Sequence, residues 1–216
     1  MLYWLYERML ERQLTMLPRN ICIMISGDEV MVAPKKICDC TRWCIDISSS
    51  VSRRYGEASR SGEKDNTTIE GLTYHISTKD PLSLGEFLPA MRDIADIAEL
   101  TLLYGDFVEK AGTGMHVTIA IGKSGREEIT NGIRQMACER VRPSRVDETM
   151  LESYLTFKYT PDFVIKTGGD HLTDFLIWQS VYSELFFSDV NWRYMRKVDF
   201  LRALRDYQSR VRRFGR

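Results

Sequence analysis

Residues 162–192 read DFVIKTGGDHLTDFLIWQSVYSELFFSDVNW, and this stretch indicates the fold more directly than any other part of the chain. Residues 163–166 are apolar and partly β-branched, which predicts a buried strand. A loop with two glycines follows, and the apolar run over residues 175–187 predicts a helix. Glycines let backbone amides approach an anion closely, and a helix N-terminus adds partial positive charge. The stretch therefore predicts a strand, a turn able to bind an anion, and a helix.

The rest of the chain alternates between predicted strands and predicted helices. Short apolar runs bounded by turn residues predict strands, and apolar residues at helical spacing predict helices. Continuous apolar strands that alternate with helices predict a single α/β domain with a mainly parallel sheet flanked by helices. The predicted strands are 21–25, 72–76, 100–103, 117–121 and 163–166, and the predicted helices are 37–47, 84–100, one through Lys110, 127–140, 147–155, 175–187 and a last one near the C-terminus.

Three stretches together resemble the cis-prenyltransferase family. Residues 166–187 are similar to its C-terminal signature, Arg-Thr-Gly-Gly-Glu-x-Arg-Leu-Ser-Asp/Asn-Phe-Leu-Leu-Trp-Gln-Ser-x-Tyr-Ser-Glu-Leu-Tyr-Phe, with one residue missing. Residues 117–129 resemble the family's strand, its Gly-Gly-Arg-x-Glu-Ile turn and the start of a helix, and residues 72–78 resemble its strand ending in Phe-Ser-Thr. Their order and spacing fit one domain with the cis-prenyltransferase fold.

The resemblance implies a reaction between two diphosphates. In the family, the double bond of isopentenyl diphosphate attacks an allylic diphosphate, Mg²⁺ helps the diphosphate leave, and the product is a polyprenyl diphosphate used as a glycosyl carrier lipid. Two polyanions must be held together while a carbocation-like carbon develops. This chemistry requires arginines, phosphates cradled by glycines, a carboxylate that holds Mg²⁺, and an apolar tunnel for the product.

The segment after the first predicted strand departs from the family. Members place an essential aspartate in Met-Asp-Gly-Asn-x-Arg-Trp-Ala, whereas this chain has Ser26 at the aspartate position and Val30 at the arginine position. A neutral hydroxyl cannot supply the charge that holds Mg²⁺. Asp28 lies two residues further on, and it is either a turn or helix-cap residue or a metal ligand presented by a rearranged loop.

The glycine turn also departs from the family. Lys166 replaces an arginine, and lysine offers a point charge where arginine gives a planar bidentate fork. Gly168 and Gly169 remain, Thr173 keeps a hydroxyl, and Glu184 keeps a late carboxylate that is a candidate metal ligand. The second arginine of the motif is deleted, and the family's Ser-Thr-Glu-Asn-Trp has become Ser-Thr-Lys-Asp-Pro at 77–81. No catalytic set of the family is therefore intact in this chain.

The parts that reach across a subunit boundary are better preserved. In the family, the region of residues 175–187 builds the dimer interface, and a C-terminal Arg-x-Gly reaches the partner's diphosphate site. The resemblance implies that Arg213 and Gly215 bind substrate diphosphate in a partner; the other interpretation is a cationic end in solvent. Aromatic side chains dominate buried contacts, although about half of such a helix faces its own core. The candidate interface anchors are Trp178, Tyr182, Leu185 and Phe186.

Preserved cross-subunit parts beside an altered internal site are the pattern of the non-catalytic, Nogo-B-receptor-like subunit of heteromeric cis-prenyltransferases. We therefore expect the chain to be inactive alone and to join a catalytic subunit that holds most of the Mg²⁺. The run Leu-Tyr-Glu-Arg-Met-Leu-Glu-Arg-Gln at 5–13 resembles the N-terminal helix of archaeal members, which predicts an archaeal enzyme. Two alternatives remain open: an atypical homodimeric cis-prenyltransferase with a rearranged metal site, and an inactive binding protein with a basic tail.

Composition is compatible with this interpretation and excludes some others. The chain has 216 residues, 44% of them hydrophobic, which is ample for one core and short for two domains. Lys plus Arg and Asp plus Glu both total 30, so no overall field attracts nucleic acid, although basic residues concentrate after residue 193. The predicted organisation is an amphipathic helix over 1–17, then a domain over 18–216 with a basic C-terminal tail.

Cysteine use and hydropathy predict a cytoplasmic protein. Five cysteines and three histidines form neither Cys-x-x-Cys pairs nor a zinc set, so reduced thiols are expected. No apolar run approaches the roughly 20 residues that span a bilayer. The helix over 1–17 either packs on its own domain or rests at the inner face of the cell membrane, where Trp and Tyr are favoured.

Overall fold

The computed structural model describes residues 2–55, 66–157, 160–169 and 176–210. The strands are β1 (Asn20–Ser26), β2 (Gly71–Ser77), β3 (Glu99–Tyr104), β4 (Phe107–Ala111), β5 (His116–Ile121), β6 (Phe163–Thr167) and β7 (Glu184–Ser188). The α-helices are α1 (Leu2–Gln13), α2 (Gly27–Val32), α3 (Lys36–Tyr55), α4 (Leu88–Arg92), α5 (Gly125–Cys138), α6 (Glu148–Tyr154) and α7 (Lys197–Ser209). Short 3-10 helices lie at Pro81–Phe87, Asp93–Asp96, Pro143–Arg145 and Trp192–Tyr194.

The strands form one sheet in the order β4-β3-β5-β2-β1-β6-β7. Each neighbouring pair is parallel except β3 and β4, which are antiparallel. The order reverses at β1, which has β2 on one side and β6 on the other. Open parallel sheets bind ligands outside the carboxyl ends of their strands at such a reversal. The predicted fold class is confirmed, and its topology directs attention to the carboxyl ends of β1, β2 and β6.

The main core lies on one face of the sheet. Ile21, Ile23 and Ile25 of β1 are buried on that face together with side chains of α3 and α7. Cys22 and Met24 point to the opposite face and join a smaller apolar cluster. Because β1 is buried on both faces, its sequence is apolar at successive positions rather than at alternate ones.

The N-terminal helix packs on this same core. Leu10, Leu14 and Leu17 are buried in the main cluster, so the described part of this N-terminal segment packs against the rest of the domain. The side chain of Gln208 in α7 accepts a hydrogen bond from the backbone N–H of Thr15 at 2.7 Å. Of the two positions expected for this helix, the described structure shows contact with its own domain.

The predicted helix through Lys110 is wrong. Tyr104 pairs with Phe107 across a hairpin, so Gly105 and Asp106 form its two-residue loop, and β4 then runs antiparallel to β3. Gly105 has a φ of 55°, the positive value that such tight loops require. The Gly-Asp pair between two apolar residues was the signal for a hairpin.

The predicted helix over 175–187 is wrong in its described part. Residues 177–182 form turns, and β7 follows as a strand parallel to β6. Pairing with β6 satisfies the backbone groups of both strands, and this tertiary gain overrides the helical spacing of the apolar residues. The predicted helix over 84–100 is also interrupted. Its residues form 3-10 turns around the short α4, and β3 begins at Glu99.

The cysteines provide a test of the fold. Cys22, Cys38, Cys40 and Cys44 are buried and Cys138 is exposed. Burial raises the pKa of Cys22 to about 12 and raises the pKa of Cys38 and Cys44 above the ordinary value. Only thiolates react, so we expect iodoacetamide at about pH 8 to modify one thiol in the folded chain. Mass spectrometry should place it at Cys138, and Cys138→Ser should abolish it. Rapid modification of a second thiol before unfolding would contradict the packing described above.

Candidate functional site

The carboxyl ends of three strands lie side by side at the reversal of strand order. Ser26 at the end of β1 pairs with Ser77 at the end of β2. On the other side, Met24 of β1 pairs with Lys166 of β6, so the glycine turn after β6 begins beside the end of β1. The segments singled out by sequence at 26–31, 77–81 and 166–169 therefore lie together at the carboxyl ends of these parallel strands.

Ser26 is engaged in capping α2. Its Oγ accepts a hydrogen bond from the backbone N–H of Glu29 at 3.4 Å, while its own backbone N–H donates to Glu29 Oε2 at 3.3 Å. The Ser26 hydroxyl also donates to Glu29 Oε2 at 3.1 Å. This reciprocal arrangement is a capping box, which satisfies the backbone donors at a helix start. The residue at the position of the family's catalytic aspartate thus has a structural role in this chain.

The second oxygen of Glu29 ties this segment to two others. Glu29 Oε1 accepts a hydrogen bond from the backbone N–H of Trp192 at 2.8 Å. The same oxygen lies against the glycine turn, because a Cβ added to Gly168 would stand 2.9 Å from it and 2.9 Å from Asn191 Oδ1. Gly168 also has a φ of 65°, so both the backbone and the close approach require glycine. A carboxylate therefore lies beside Gly168, whereas a Cβ added to Gly169 would meet nothing within 4 Å.

Lys166 does not project freely toward this turn. Its ammonium donates a hydrogen bond to the backbone carbonyl of Thr167, and the side chain is half-buried. Burial lowers the pKa of Lys166, and the nearby Glu29 carboxylate opposes that shift. Thr167 is itself fixed, since its hydroxyl donates to the carbonyl of Met24 at 3.2 Å. The exposed glycine turn is present as predicted, but its charged neighbours are a half-buried lysine and a carboxylate.

A cleft of about 610 Å³ opens between the segments after β1 and β2. Asp28 and Asp80 contribute negative charge to its lining, and Lys79 contributes positive charge. Asp80 is occupied as a cap, since it accepts the backbone N–H of Leu82 at 3.1 Å, whereas Asp28 is exposed and makes no hydrogen bond within the described residues. No arginine lines this cleft in the described part of the chain. Diphosphate sites concentrate arginines and backbone amides, so this lining is poorly suited to a polyanion.

The described residues do not form a magnesium site. Glu184 stands at the amino end of β7, paired with Phe163 at the start of β6. Lys166 lies near the carboxyl end of β6, so the two side chains are at opposite ends of these strands. Its carboxylate is 3.3 Å from the Arg210 guanidinium, which also lies 2.6 Å from Asp206. Within residues 2–55, 66–157, 160–169 and 176–210, no three His, Cys, Asp or Glu side chains are grouped to hold a metal. Of Ser26, Asp28 and Glu29, only Asp28 has a carboxylate without a hydrogen-bond partner among the described residues. Mg²⁺ in proteins is usually bound by one or two carboxylates together with substrate phosphates and water.

The candidate interface residues differ in exposure. Trp178 is half-buried and donates to Glu152 Oε1 of α6 at 3.3 Å. Phe186 packs against Phe163 with ring centroids 6.1 Å apart, and Leu185 packs on the smaller core cluster. Tyr182 alone of the four is largely exposed, at 63%. Three exposed apolar neighbours that the sequence reasoning did not single out are Ile177, Val181 and Phe187.

The C-terminal tail is described as far as Arg210, and its last described residue is anchored to β7. Arg210 Nη1 donates to the carbonyl of Leu185 at 2.8 Å and lies 3.3 Å from Glu184. Arg213 and Gly215 lie outside the described residues, as does Thr173. The basic run is partly neutralised within the described residues, because Asp199 pairs with Arg196 and Arg202.

Comparison with known sequences gives consistent matches. A family described as "Putative undecaprenyl diphosphate synthase" matches residues 102–215. "Isoprenyl transferase 1" of Corynebacterium efficiens is 32% identical, covering 100% of this chain and 98% of that protein. A "Tritrans,polycis-undecaprenyl-diphosphate synthase (geranylgeranyl-diphosphate specific)" of Methanocaldococcus jannaschii is 29% identical over 98% of this chain and 88% of that protein. The altered segments at 26–31 and 77–81 precede the residues that the family matches.

A solved structure supports the fold. Lavandulyl diphosphate synthase from Lavandula x intermedia, crystallised with dimethylallyl diphosphate, superimposes with a TM-score of 0.62. The match covers 93% of this chain and 99% of that one, at 19% sequence identity. The shared feature at that level of identity is the fold alone.

The role of Glu29 can be tested by unfolding. Glu29→Ala removes the acceptor of Trp192 N–H and half of the capping box, so we expect the free energy of unfolding in urea to fall by about 3 kcal/mol. Glu29→Gln keeps one acceptor oxygen and should lose less.

The matched control is Asp28→Ala, one residue away. Its side chain is exposed and makes no hydrogen bond among the described residues, so the change should stay within about 0.5 kcal/mol. Equal losses for the two alanine variants would show that Glu29 does not connect these segments.

Proposed function

The chain belongs to the putative undecaprenyl diphosphate synthase family, and from that membership we propose that it is the accessory subunit of a heteromeric cis-prenyltransferase. The complex would join isopentenyl diphosphate to an allylic diphosphate and produce a polyprenyl diphosphate that serves as a glycosyl carrier lipid. The partner is a catalytic family member with an intact Asp-Gly-Asn segment, which would hold the Mg²⁺. An archaeal source for the chain stays a prediction.

The Glu29 carboxylate at the Gly168 turn is the observation that carries the proposal. A diphosphate placed on that turn would meet a fixed negative charge whose oxygens already accept hydrogen bonds from Ser26 and Trp192. Like charges at contact distance are unfavourable, and the cost rises where water is excluded. This arrangement supports the proposal that the diphosphate site of this chain no longer binds substrate. Its residues instead hold the segments after β1 and β7 together.

The contribution of this chain to catalysis is proposed to come from its tail. In the family by resemblance, Arg-x-Gly reaches the partner's diphosphate site, and here Arg213 and Gly215 would supply a guanidinium and a backbone amide to isopentenyl diphosphate. Such charge-assisted contacts strengthen as the site excludes water. Arg210 is fastened to Leu185 and Glu184, so the tail departs from the edge strand β7. The contact of Arg210 with β7 supports this role, because β7 belongs to the surface proposed to bind the partner.

The partner is proposed to bind at the surface formed by residues 177–187. Ile177, Val181, Tyr182 and Phe187 expose apolar surface there, and β7 is an edge strand of the sheet. Apolar and aromatic side chains grouped beside an unpaired strand edge favour a protein interface. Trp178, Leu185 and Phe186 lie beneath this surface and hold it in shape through their contacts with α6 and the core.

One observation favours a second candidate, an atypical homodimeric cis-prenyltransferase. Asp28 is exposed in the cleft at the end of β1 and has no hydrogen-bond partner among the described residues, so its carboxylate is free for a metal. A Mg²⁺-dependent incorporation of isopentenyl diphosphate by the pure chain, lost in Asp28→Ala, would select this candidate.

The proposed location is the cytoplasm, with peripheral contact at the inner face of the cell membrane. None of the described helices is long and apolar enough to cross a bilayer. The contact would bring the complex close to its lipid product.

The proposal predicts that prenyl transfer requires both this chain and a catalytic family member. The pure chain should incorporate no labelled isopentenyl diphosphate with a short allylic diphosphate and Mg²⁺, because its own site cannot hold the metal. The same chain co-expressed with an intact paralogue from its organism should give a polyprenyl diphosphate by thin-layer chromatography. Full activity of the paralogue without this chain would contradict an accessory role.

Arg213→Ala tests the tail within that complex. We expect turnover to fall by about a hundred-fold, because one charged donor to the reacting diphosphate is lost, while the complex still elutes intact on size exclusion. Arg216→Ala is the matched control and should keep near-native turnover. Equal rates for Arg213→Ala and the native complex would remove the tail from the site.

The proposed interface is tested by Tyr182→Ala combined with Val181→Ser. Both side chains are 63% exposed in the single chain, so the change should not affect folding, but we expect affinity for the catalytic subunit to weaken by about thirty-fold. Phe107→Ala is the control, since Phe107 is 74% exposed on β4 at the other edge of the sheet. Titration calorimetry measures both variants, and equal affinities would place the interface elsewhere.

A further inference from the structure

The outward face of α1 combines large apolar side chains with exposure. Leu10 faces the core, whereas Trp4, Leu5 and Met9 are 55%, 58% and 44% exposed. Three large apolar groups on one twelve-residue helix leave a contiguous surface that water solvates poorly. Packing of α1 on its own domain therefore explains only one side of the helix.

The charges on this outward face have one sign. Arg8 and Arg12 are exposed between the apolar groups, and the Arg8 guanidinium lies 4.5 Å from the ring centroid of Trp4. Leu5, Arg8, Met9 and Arg12 line one shallow surface depression, so the basic and apolar groups are adjacent. The face exposes no carboxylate among the described side chains of α1, since Glu7 and Glu11 are half-buried at its border.

Neighbouring helices add cations beside α1. Arg54 of α3 donates to the backbone carbonyl of Glu11 at 2.8 Å, and Arg202 of α7 lies 5.4 Å from the ring centroid of Tyr6. The Glu11 carboxylate is engaged by Lys197 at 3.4 Å, which reduces its effect on the field of the face. Arginines of α1, α3 and α7 thus lie among and beside the exposed apolar groups, with the half-buried Glu7 and Glu11 at the border.

We propose that the outward face of α1 is a docking surface for a bilayer that contains anionic lipid. Leu5 and Met9 would enter the boundary between headgroups and acyl chains, Trp4 would lie at headgroup level, and Arg8 and Arg12 would pair with lipid phosphates. Amphipathic helices with aromatic and basic groups bind membranes in this way. A protein partner is less well matched, because the charged side chains exposed on the described part of this face are all cationic. The inference makes the proposed membrane contact specific in site and in lipid class.

Vesicle co-sedimentation tests the lipid class with the full chain. We expect binding to phosphatidylcholine vesicles that include phosphatidylglycerol, and little binding to phosphatidylcholine alone. Arg8→Gln with Arg12→Gln should weaken binding to the mixed vesicles roughly thirty-fold, since each arginine near an anionic surface contributes about a five-fold factor. Trp4→Ser with Leu5→Ser should lower binding on both compositions, because apolar burial is lost.

Matched controls separate this face from general effects of charge and hydrophobicity. Phe107→Ser with Val108→Ser removes exposed apolar groups on β4, and Arg126→Gln with Arg134→Gln removes two exposed arginines on α5. Both controls should bind mixed vesicles like the native chain. Equal binding by the α1 variants, equal binding to both lipid compositions, or self-association of the native chain through α1 in place of vesicle binding would overturn the proposal.

Two further measurements keep the result independent of folding and of catalysis. All four α1 residues are exposed, so urea unfolding of the variants should match that of the native chain. Prenyl transfer by the mixture in detergent solution should be unchanged in these variants, because no membrane is present. A failure of vesicle binding would then leave the accessory role intact, and a failure of the accessory role would leave vesicle binding intact.

Discussion

The carboxylate of Glu29 is the constraint on which the carboxyl edge of the sheet depends. One oxygen closes the capping box at Ser26, and the other accepts the Trp192 N–H beside the Gly168 turn. One side chain thereby links the segment after β1 to the segment after β7, and it also lies against the Gly168 turn. Trp192 is fully buried, so the backbone donor that Glu29 satisfies has no water to replace it. The joint is local in extent, but it fixes how β1, β6 and the segment after β7 meet.

This joint uses the place where the fold would otherwise hold an anion. Gly168 and Gly169 both have positive φ values, and their turn lies near the reversal of strand order at β1. The charged groups there are Glu29, which lies beside Gly168, and Lys166, which donates to the backbone carbonyl of Thr167. A fold can retain the shape of a site after its electrostatics have been turned to another use. The proposed division of labour between two chains follows from that separation of shape and charge.

Sequence reasoning predicted the elements whose signals are local. β1 is a continuous apolar run and β2, β5 and β6 are largely apolar, because a central parallel strand is buried on both faces. β7 could not be recognised in the same way, because the spacing of its apolar residues also suited a helix. It is a strand because it pairs with β6, a tertiary contact that its own sequence does not reveal. The β3–β4 hairpin was missed although Gly105-Asp106 carried a local signal for it.

The site was predictable to a similar degree. The substitutions at Ser26 and Lys166 were visible in the sequence, and so were the missing carboxylate at Ser26 and the missing bidentate guanidinium at Lys166. The structural use of Glu29 was not visible, because its partner Trp192 is 163 residues away in sequence. Likewise, Glu184 looked like a candidate ligand beside the aromatic run, whereas strand pairing places it at the opposite end of these strands from Lys166.

The anchoring of Arg210 sets a length scale for any complex of this chain. Its guanidinium is held by Leu185 and Glu184, so the following segment starts from a fixed point on the sheet edge. Arg213 is three residues further on, and an extended chain spans at most about 10 Å over that distance. A partner that uses Arg213 must therefore present its diphosphate within about that radius, plus the lengths of the Arg210 and Arg213 side chains, of the β7 edge. The short segment from Arg210 to Arg213 therefore limits the relative orientations in which two such domains can assemble.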